Sequence, residues 1–133
     1  MPVSGSAMGQ AYPMYTGAAW WCMFIAGEDT LMKIVHWNPE TDGPLDEAAL
    51  RARLEALGYR VSRYVYPPGT YFADHSHGVD KIDAVLSGRF LMRTPQGEAV
   101  LEAGDWLAVP RGTVHSAEVL GDEPVVSLDA VKA

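Results

Sequence analysis

The sequence holds one cysteine, Cys22, among 133 residues. No intrachain disulfide can form, so a disulfide-stapled scaffold is excluded, and structural zinc on a cysteine cluster is disfavoured. A lone thiol suits a reducing cytosol. No sequence neighbour activates it, and Cys22 reads as a small buried apolar residue. Basic residues are also few: 10 Lys and Arg stand against 17 Asp and Glu, for a formal net charge of −7. They form no run, so phosphate backbones and anionic lipid surfaces are repelled, and neither nucleic acid nor membrane is an expected partner. Long apolar stretches are missing too. The longest, AAWWCMFIA at residues 18–26, is too short to span a bilayer. Residues 1–17 contain no Lys or Arg, so the positive leading region of a secretory signal is absent. A cytoplasmic location is the expectation.

The composition, 48% hydrophobic and 20% charged, is that of one ordinary globular domain. Residues 1–31 stand apart, with no Lys or Arg and with Met1, Met8, Met14 and Met23 of the six methionines. Two readings of this extension remain open. Translation starts at Met32, whose following KIVHW opens a plausible strand, or Trp20, Trp21, Met23, Phe24 and Ile25 form an edge strand that another copy covers. Either way the expected organisation is an extension over 1–31 and a single domain over 32–133.

The stretch TDGPLDEAALRARLEALG, residues 41–58, predicts the one clear helix, over about 44–57. Asp42 or Gly43 can cap it, Pro44 fits its first turn, and Asp46 and Glu47 suit the positive end. Leu50, Leu54 and Leu57 share a face, and Gly58 is a good stop. From Tyr59 onward short β-rich runs alternate with turn residues, which predicts an all-β antiparallel sandwich or barrel.

Three of the four histidines, His75, His77 and His115, fall in this β region. Residues i and i+2 of a strand face the same way, so His75 and His77 are expected to project together. Neutral imidazole is a common ligand of transition metals, and a third ligand must come from elsewhere, with His115 in PRGTVH as the candidate. An isolated H-x-H pair is more often two solvated histidines; the surrounding glycines and prolines change that reading.

The segment GTYFADHSHGVDKIDAVLSG, residues 69–88, resembles the first motif of the cupin superfamily, with Gly69, His75-x-His77 and Gly88 at the motif distances. GDWLAVPRGTVH, residues 104–115, resembles the second, with Gly104, Pro110, Gly112 and His115 in place. The motifs cover 69–115, and the strand pattern extends the likeness to about 59–131. The resemblance implies a double-stranded β-helix, a jelly-roll cupin barrel, with a metal held by His75, His77 and His115. It also implies pairing of barrels through edge strands or N-terminal segments, so a homodimer is expected.

Two positions depart from the family pattern. Lys81 stands where a ligating glutamate is usual, and Val119 where asparagine is frequent. A protonated lysine has no lone pair for a metal. Three arrangements follow: the three histidines hold the metal alone with open positions for water or substrate; Asp83, of the same strand parity as Lys81, binds the metal or pairs with Lys81; or the Lys81 ammonium replaces the ion and the pocket is metal-free. Tyr64, Tyr66, Tyr71, Phe72 and Trp106 are candidates to line the site, though strand aromatics are more often packing. His36 reads as structural, and Arg89, Arg93 and Arg111 as solvated surface charges.

The expectation is therefore a small metal-dependent cupin enzyme of dioxygenase, isomerase or lyase type. Fe, Ni, Mn, Zn or Cu would serve as its divalent ion, and Lys81 would hold an anionic organic substrate as the catalytic-site lysine. The alternative is a non-catalytic small-ligand or sensor cupin, metal-free if Lys81 has displaced the ion.

Overall fold

In the computed structural model, which describes residues 33–133, the chain from Ile34 to Lys132 alternates short strands with tight turns. The strands are β1 (Ile34–His36), β2 (Tyr59–Tyr66), β3 (Tyr71–His75), β4 (Lys81–Ser87), β5 (Arg89–Thr94), β6 (Gly97–Leu101), β7 (Asp105–Val109), β8 (His115–Leu120) and β9 (Val125–Lys132). Between β1 and β2 lie helices α1 (Pro39–Asp42) and α2 (Glu47–Ala56). The strands form two antiparallel sheets, a five-stranded one in the order β1-β7-β4-β9-β2 and a four-stranded one in the order β3-β8-β5-β6. This is the double-stranded β-helix expected from the sequence. The extension over 1–31, with Cys22 and the apolar run 18–26, lies outside the described residues.

Strand alternation divides the apolar residues into two cores. Val85, Phe90, Met92, Leu107, Val109, Ala117, Val119 and Val125 pack between the sheets, in the barrel interior. Ile82, Ala84, Trp106, Leu128 and Ala130 point out of the five-stranded sheet and pack under Leu50 and Leu54 of α2. Strands β4 and β9 are thus covered on both faces. Of their polar side chains, Lys81, Asp83, Ser127 and Asp129 share the parity of the inward Val85 and Val125 and face the barrel, whereas Ser87 and Lys132 at the strand ends are exposed.

The helix begins later than the sequence predicts. Asp42 is the last residue of α1, where its carboxylate accepts from the Asn38 amide and the Arg53 guanidinium. Gly43 then takes φ +82° and ends that turn. Capping falls to Asp46, whose side chain accepts from the Ala49 amide at 2.8 Å. Leu50 and Leu54 are fully buried, whereas Leu57, beyond the last helical residue, is 49% exposed.

The two motif glycines at sheet crossings have direct steric reasons. Gly88, between β4 and β5, has φ +86°, and a Cβ there would strike the Pro124 carbonyl oxygen. Gly104, before β7, has φ +91°, and its Cβ would sit 2.8 Å from the Trp37 Cβ. Only glycine meets both requirements at once.

Candidate metal centre

His115 is the first residue of β8 and pairs in register with His75, the last residue of β3. Earlier in the same ladder Phe72 faces Ala117, so β3 carries one more residue than β8 over this stretch. That irregularity is a β-bulge, which resets side-chain parity. It lets Phe72 and His75, an odd number of residues apart, both face the interior. His77 lies past the end of β3, in the loop before β4. Its direction therefore comes from the loop and not from the strand alternation expected for the H-x-H pair. The loop is tied to the β7–β8 turn: the Gly112 amide donates to the His77 carbonyl at 2.9 Å, and the Arg111 amide donates to Asp80 Oδ1 at 2.8 Å. The P-R-G-T turn of the second motif thus positions a histidine of the first.

The three imidazoles converge. Ring centroids are separated by 4.3 Å for His75–His115, 4.8 Å for His75–His77 and 5.2 Å for His77–His115. One nitrogen from each lies within 4.8 Å of the others, so the trio could hold a metal ion. The donor set fits such an ion. His75 Nδ1 lies 2.6 Å from the Ala73 carbonyl and His115 Nδ1 lies 2.9 Å from the Thr113 carbonyl. A carbonyl only accepts, so each Nδ1 carries the proton and each Nε2 keeps its lone pair. This is the tautomer and orientation that backbone carbonyls enforce behind ligating histidines. Burial, then the Lys81 charge and the neighbouring imidazoles, hold His77 below the ordinary imidazole range. Burial likewise holds His115 below it, against the Thr113 hydrogen bond. Both shifts favour the neutral ring that a metal needs.

The histidines line a cavity of about 200 Å³ between the sheets, with Phe72, Phe90 and Met92 on its apolar side. The five-stranded sheet contributes Lys81, Asp83, Asp129 and Tyr66. Lys81 Nζ lies 2.8 Å from Asp129 Oδ1 and 3.0 Å from Oδ2, and only the Oδ2 contact has hydrogen-bond geometry. Asp83 stands directly across the β4–β9 ladder from Asp129. Its carboxyl is pushed up to about 7, first by burial, then by the Asp129 charge, against the pull of Lys81. Burial and the same two carboxyls push the Tyr66 hydroxyl up to about 12, so it stays protonated.

Of the aromatic candidates, Tyr66 and Phe72 line the cavity, and their rings meet edge to face at 4.9 Å. Trp106 points the other way, beneath α2, and Tyr64 and Tyr71 are exposed. Val119 is a barrel-core residue. His36 makes a surface contact with Asp105 at 2.6 Å, and Arg93 pairs with Glu98 and Glu118 on the surface. The sequence reading missed Asp129. Its signal was a lone carboxylate inside the apolar run VVSLDAV, where an unpaired charge does not belong.

The cupin domain family matches residues 62–131, just over half of the chain. The bifunctional lysine-specific demethylase and histidyl-hydroxylase NO66 of Branchiostoma floridae is 42% identical over 64 residues, 44% of this chain and 10% of that protein. The chain thus spans about a tenth of the length of that curated relative. KdgF from Halomonas sp. is similar in fold, with a TM-score of 0.51 at 22% identity over 57% of this chain and 71% of the other. A chain from the crystal structures of the DMSP lyases RdDddP and RnDddQII aligns with a TM-score of 0.52 at 25% identity, over 56% of this chain and 38% of that one. With both motifs, the two-sheet barrel and the family match in agreement, the chain belongs to the cupin family.

Proposed function

We propose that the chain is a small metal-dependent cupin enzyme, with His75, His77 and His115 as ligands of a divalent transition metal and a small anionic organic molecule as substrate. The observation that carries this reading is the convergence of three imidazoles, two with their Nδ1 protons committed to carbonyls, on one small cavity. Among the described residues no carboxylate joins that cluster. Three protein ligands leave positions open, which is the arrangement of a catalytic site. Bound there, Fe, Ni, Mn, Zn or Cu would supply Lewis-acid or redox chemistry to a substrate oxygen. The rest falls to the chain. Phe72, Phe90 and Met92 enclose the apolar part of the substrate. Lys81 has three N–H donors, of which Asp129 Oδ2 takes one, and a remaining donor holds the substrate carboxylate. Similarity to a histidyl-hydroxylase and to a DMSP lyase supports an enzyme of oxygenase or lyase type.

Residues 32–133 would form one barrel domain, with 1–31 as an extension. Among the described residues β2 is an edge of the five-stranded sheet and exposes Tyr64 and Val65, which supports a homodimer; a monomer by light scattering at micromolar concentration would remove that part.

A second reading has its own observation. Lys81 is close enough to weigh on both His77 and His115, which favours a metal-free ligand-binding or sensor barrel. The test loads apo-protein with each metal in turn, measures metal after desalting, then assays O₂ uptake and lyase products over a panel of small carboxylic acids. Near-stoichiometric metal with turnover is the expected result. No retained metal in any case overturns the metal reading. Metal and ligand-induced thermal shifts without product would assign the sensor role.

A further inference from the structure

Asp83 and Asp129 face each other across two neighbouring strands, the Lys81 ammonium lies within 3.0 Å of both Asp129 oxygens, and all three line the cavity of the histidines. Directly opposed residues of an antiparallel pair bring their Cβ atoms to about 4.5–5.5 Å, and like charges there repel. One ammonium compensates one carboxylate, not two. Asp129 Oδ1 is buried, with the Lys81 ammonium 2.8 Å away but outside hydrogen-bond geometry. The Asp83 carboxyl stands directly opposite that carboxylate across the ladder. Only a protonated Asp83 has a donor to offer there. The one ammonium lies against Asp129, so the carboxyl that takes the proton is Asp83. The surface that Asp83 retains faces the cavity.

We propose that Asp83 is the proton-transfer residue of the cavity: a carboxylic acid held opposite Asp129 that gives its proton to, and takes a proton from, a small oxygen-bearing acid bound beside the three histidines. In the forward step the Asp83 O–H bond breaks and an O–H or C–H bond forms on the substrate, and the electron pair remains on Asp83. The resulting pair of carboxylates is balanced in part by Lys81, and solvent restores the proton. In reverse the substrate acid is deprotonated and Asp83 regains its proton. The groups facing Asp83 are Lys81 on its own strand, Asp129 on β9, Tyr66 on β2 and, within the same cavity, His75, His77 and His115; β7 presents Leu107 at the paired position. The inference rests on the proposed function only for what occupies the cavity.

Carboxyl-carbon NMR on protein labelled at aspartate, compared with Asp83→Asn for assignment, tests the proton itself. The Asp83 signal should remain that of an acid at pH 6, where an ordinary aspartate is ionised. A midpoint in the ordinary range near about 4 overturns the proposal. Folding gives a parallel readout. Asp83 binds its proton in the folded state and not in the unfolded one, so stability falls as pH rises between the ordinary value of 3.8 and about 7. The unfolding constant should rise by up to about tenfold per pH unit in wild type, and Asp83→Asn should flatten that slope. If Asp83→Asn does not fold, Asp129→Asn serves instead, and should move the Asp83 midpoint to lower pH by removing the facing charge.

The transfer role is read from protons released when acetohydroxamic acid binds cobalt-loaded protein at pH 8, by calorimetry in buffers of different protonation enthalpy. Wild type should release fewer protons than Asp83→Asn, the difference approaching one, because Asp83 accepts the proton that the probe loses. Equal release overturns the role. If cobalt does not bind, the metal reading fails alone, and the carboxyl titration decides the case of Asp83.

Discussion

His75, the last residue of β3, stands opposite His115, the first residue of β8, and their rings lie 4.3 Å apart. The pairing exists because β3 carries a bulge between Phe72 and His75. Two strands of one sheet thereby deliver two imidazoles to the same point, and the loop after β3 brings the third.

The first prediction concerns the ligands themselves. His115→Ala should lower metal affinity by more than about 100-fold, beyond the loss typical of residues that merely support a ligand. Elemental analysis after dialysis against a weak chelator checks it. Unchanged metal content would remove His115 from the ligand set.

Metal retention should also have a characteristic pH profile. Ligation needs neutral imidazole, and both His77 and His115 are held below the ordinary value of 6.5. A lowered value means that protons compete only at lower pH. Occupancy should therefore persist as pH falls through 6.5 and be lost on further acidification. Equilibrium dialysis between pH 5 and 8, set to straddle the ordinary histidine range, reads this directly. Release already above that range would contradict the lowered values of His77 and His115.

Lys81→Met should destabilise the fold by about 1.5–3 kcal/mol, the range for losing a charged hydrogen-bond partner. The reason is that Lys81 and Asp129 retain only 14% and 17% side-chain exposure, so Asp129 would stay in the barrel wall without its cation. Replacing both residues, Lys81→Met with Asp129→Leu, should recover most of the loss, because a well-packed apolar pair tolerates burial. Urea unfolding measures both. A single-variant effect within about 0.5 kcal/mol would mean that the ion pair contributes nothing to stability.

Gly88→Ala should cost about 1–3 kcal/mol, the range for a residue forced into a sparsely populated backbone region, with added strain from the Pro124 carbonyl. Gly69 offers the control. It has a similar φ of +82°, but a Cβ there meets nothing within 4 Å, so Gly69→Ala should cost less. Equal losses in thermal unfolding would show that the close approach of β4–β5 to Pro124 is not what requires glycine.

Much of this protein was legible in its sequence because the determining patterns are local. The turn glycines and prolines, the alternation along KIDAV and VVSLDAV, and the Leu50–Leu54 spacing specify a β barrel with one packing helix. The grouping of His75, His77 and His115 was readable from the glycines and prolines of the two cupin-like motifs around them. The helix start was less legible: Asp42 and Gly43 were the capping candidates, but Asn38 and Arg53 hold Asp42 in the preceding turn, and the cap fell to Asp46. Other features depended on distant segments. Strand parity alone would turn His75 away from Phe72, and only pairing with β8 reveals the bulge that corrects it. The partner of Lys81 lies 48 residues away on β9, beyond any local pattern. Local spacing determined which groups could act, because side-chain direction repeats over a few residues. Tertiary pairing decided which groups meet, because the register between strands places Asp83 against Asp129 and Lys81 beside them.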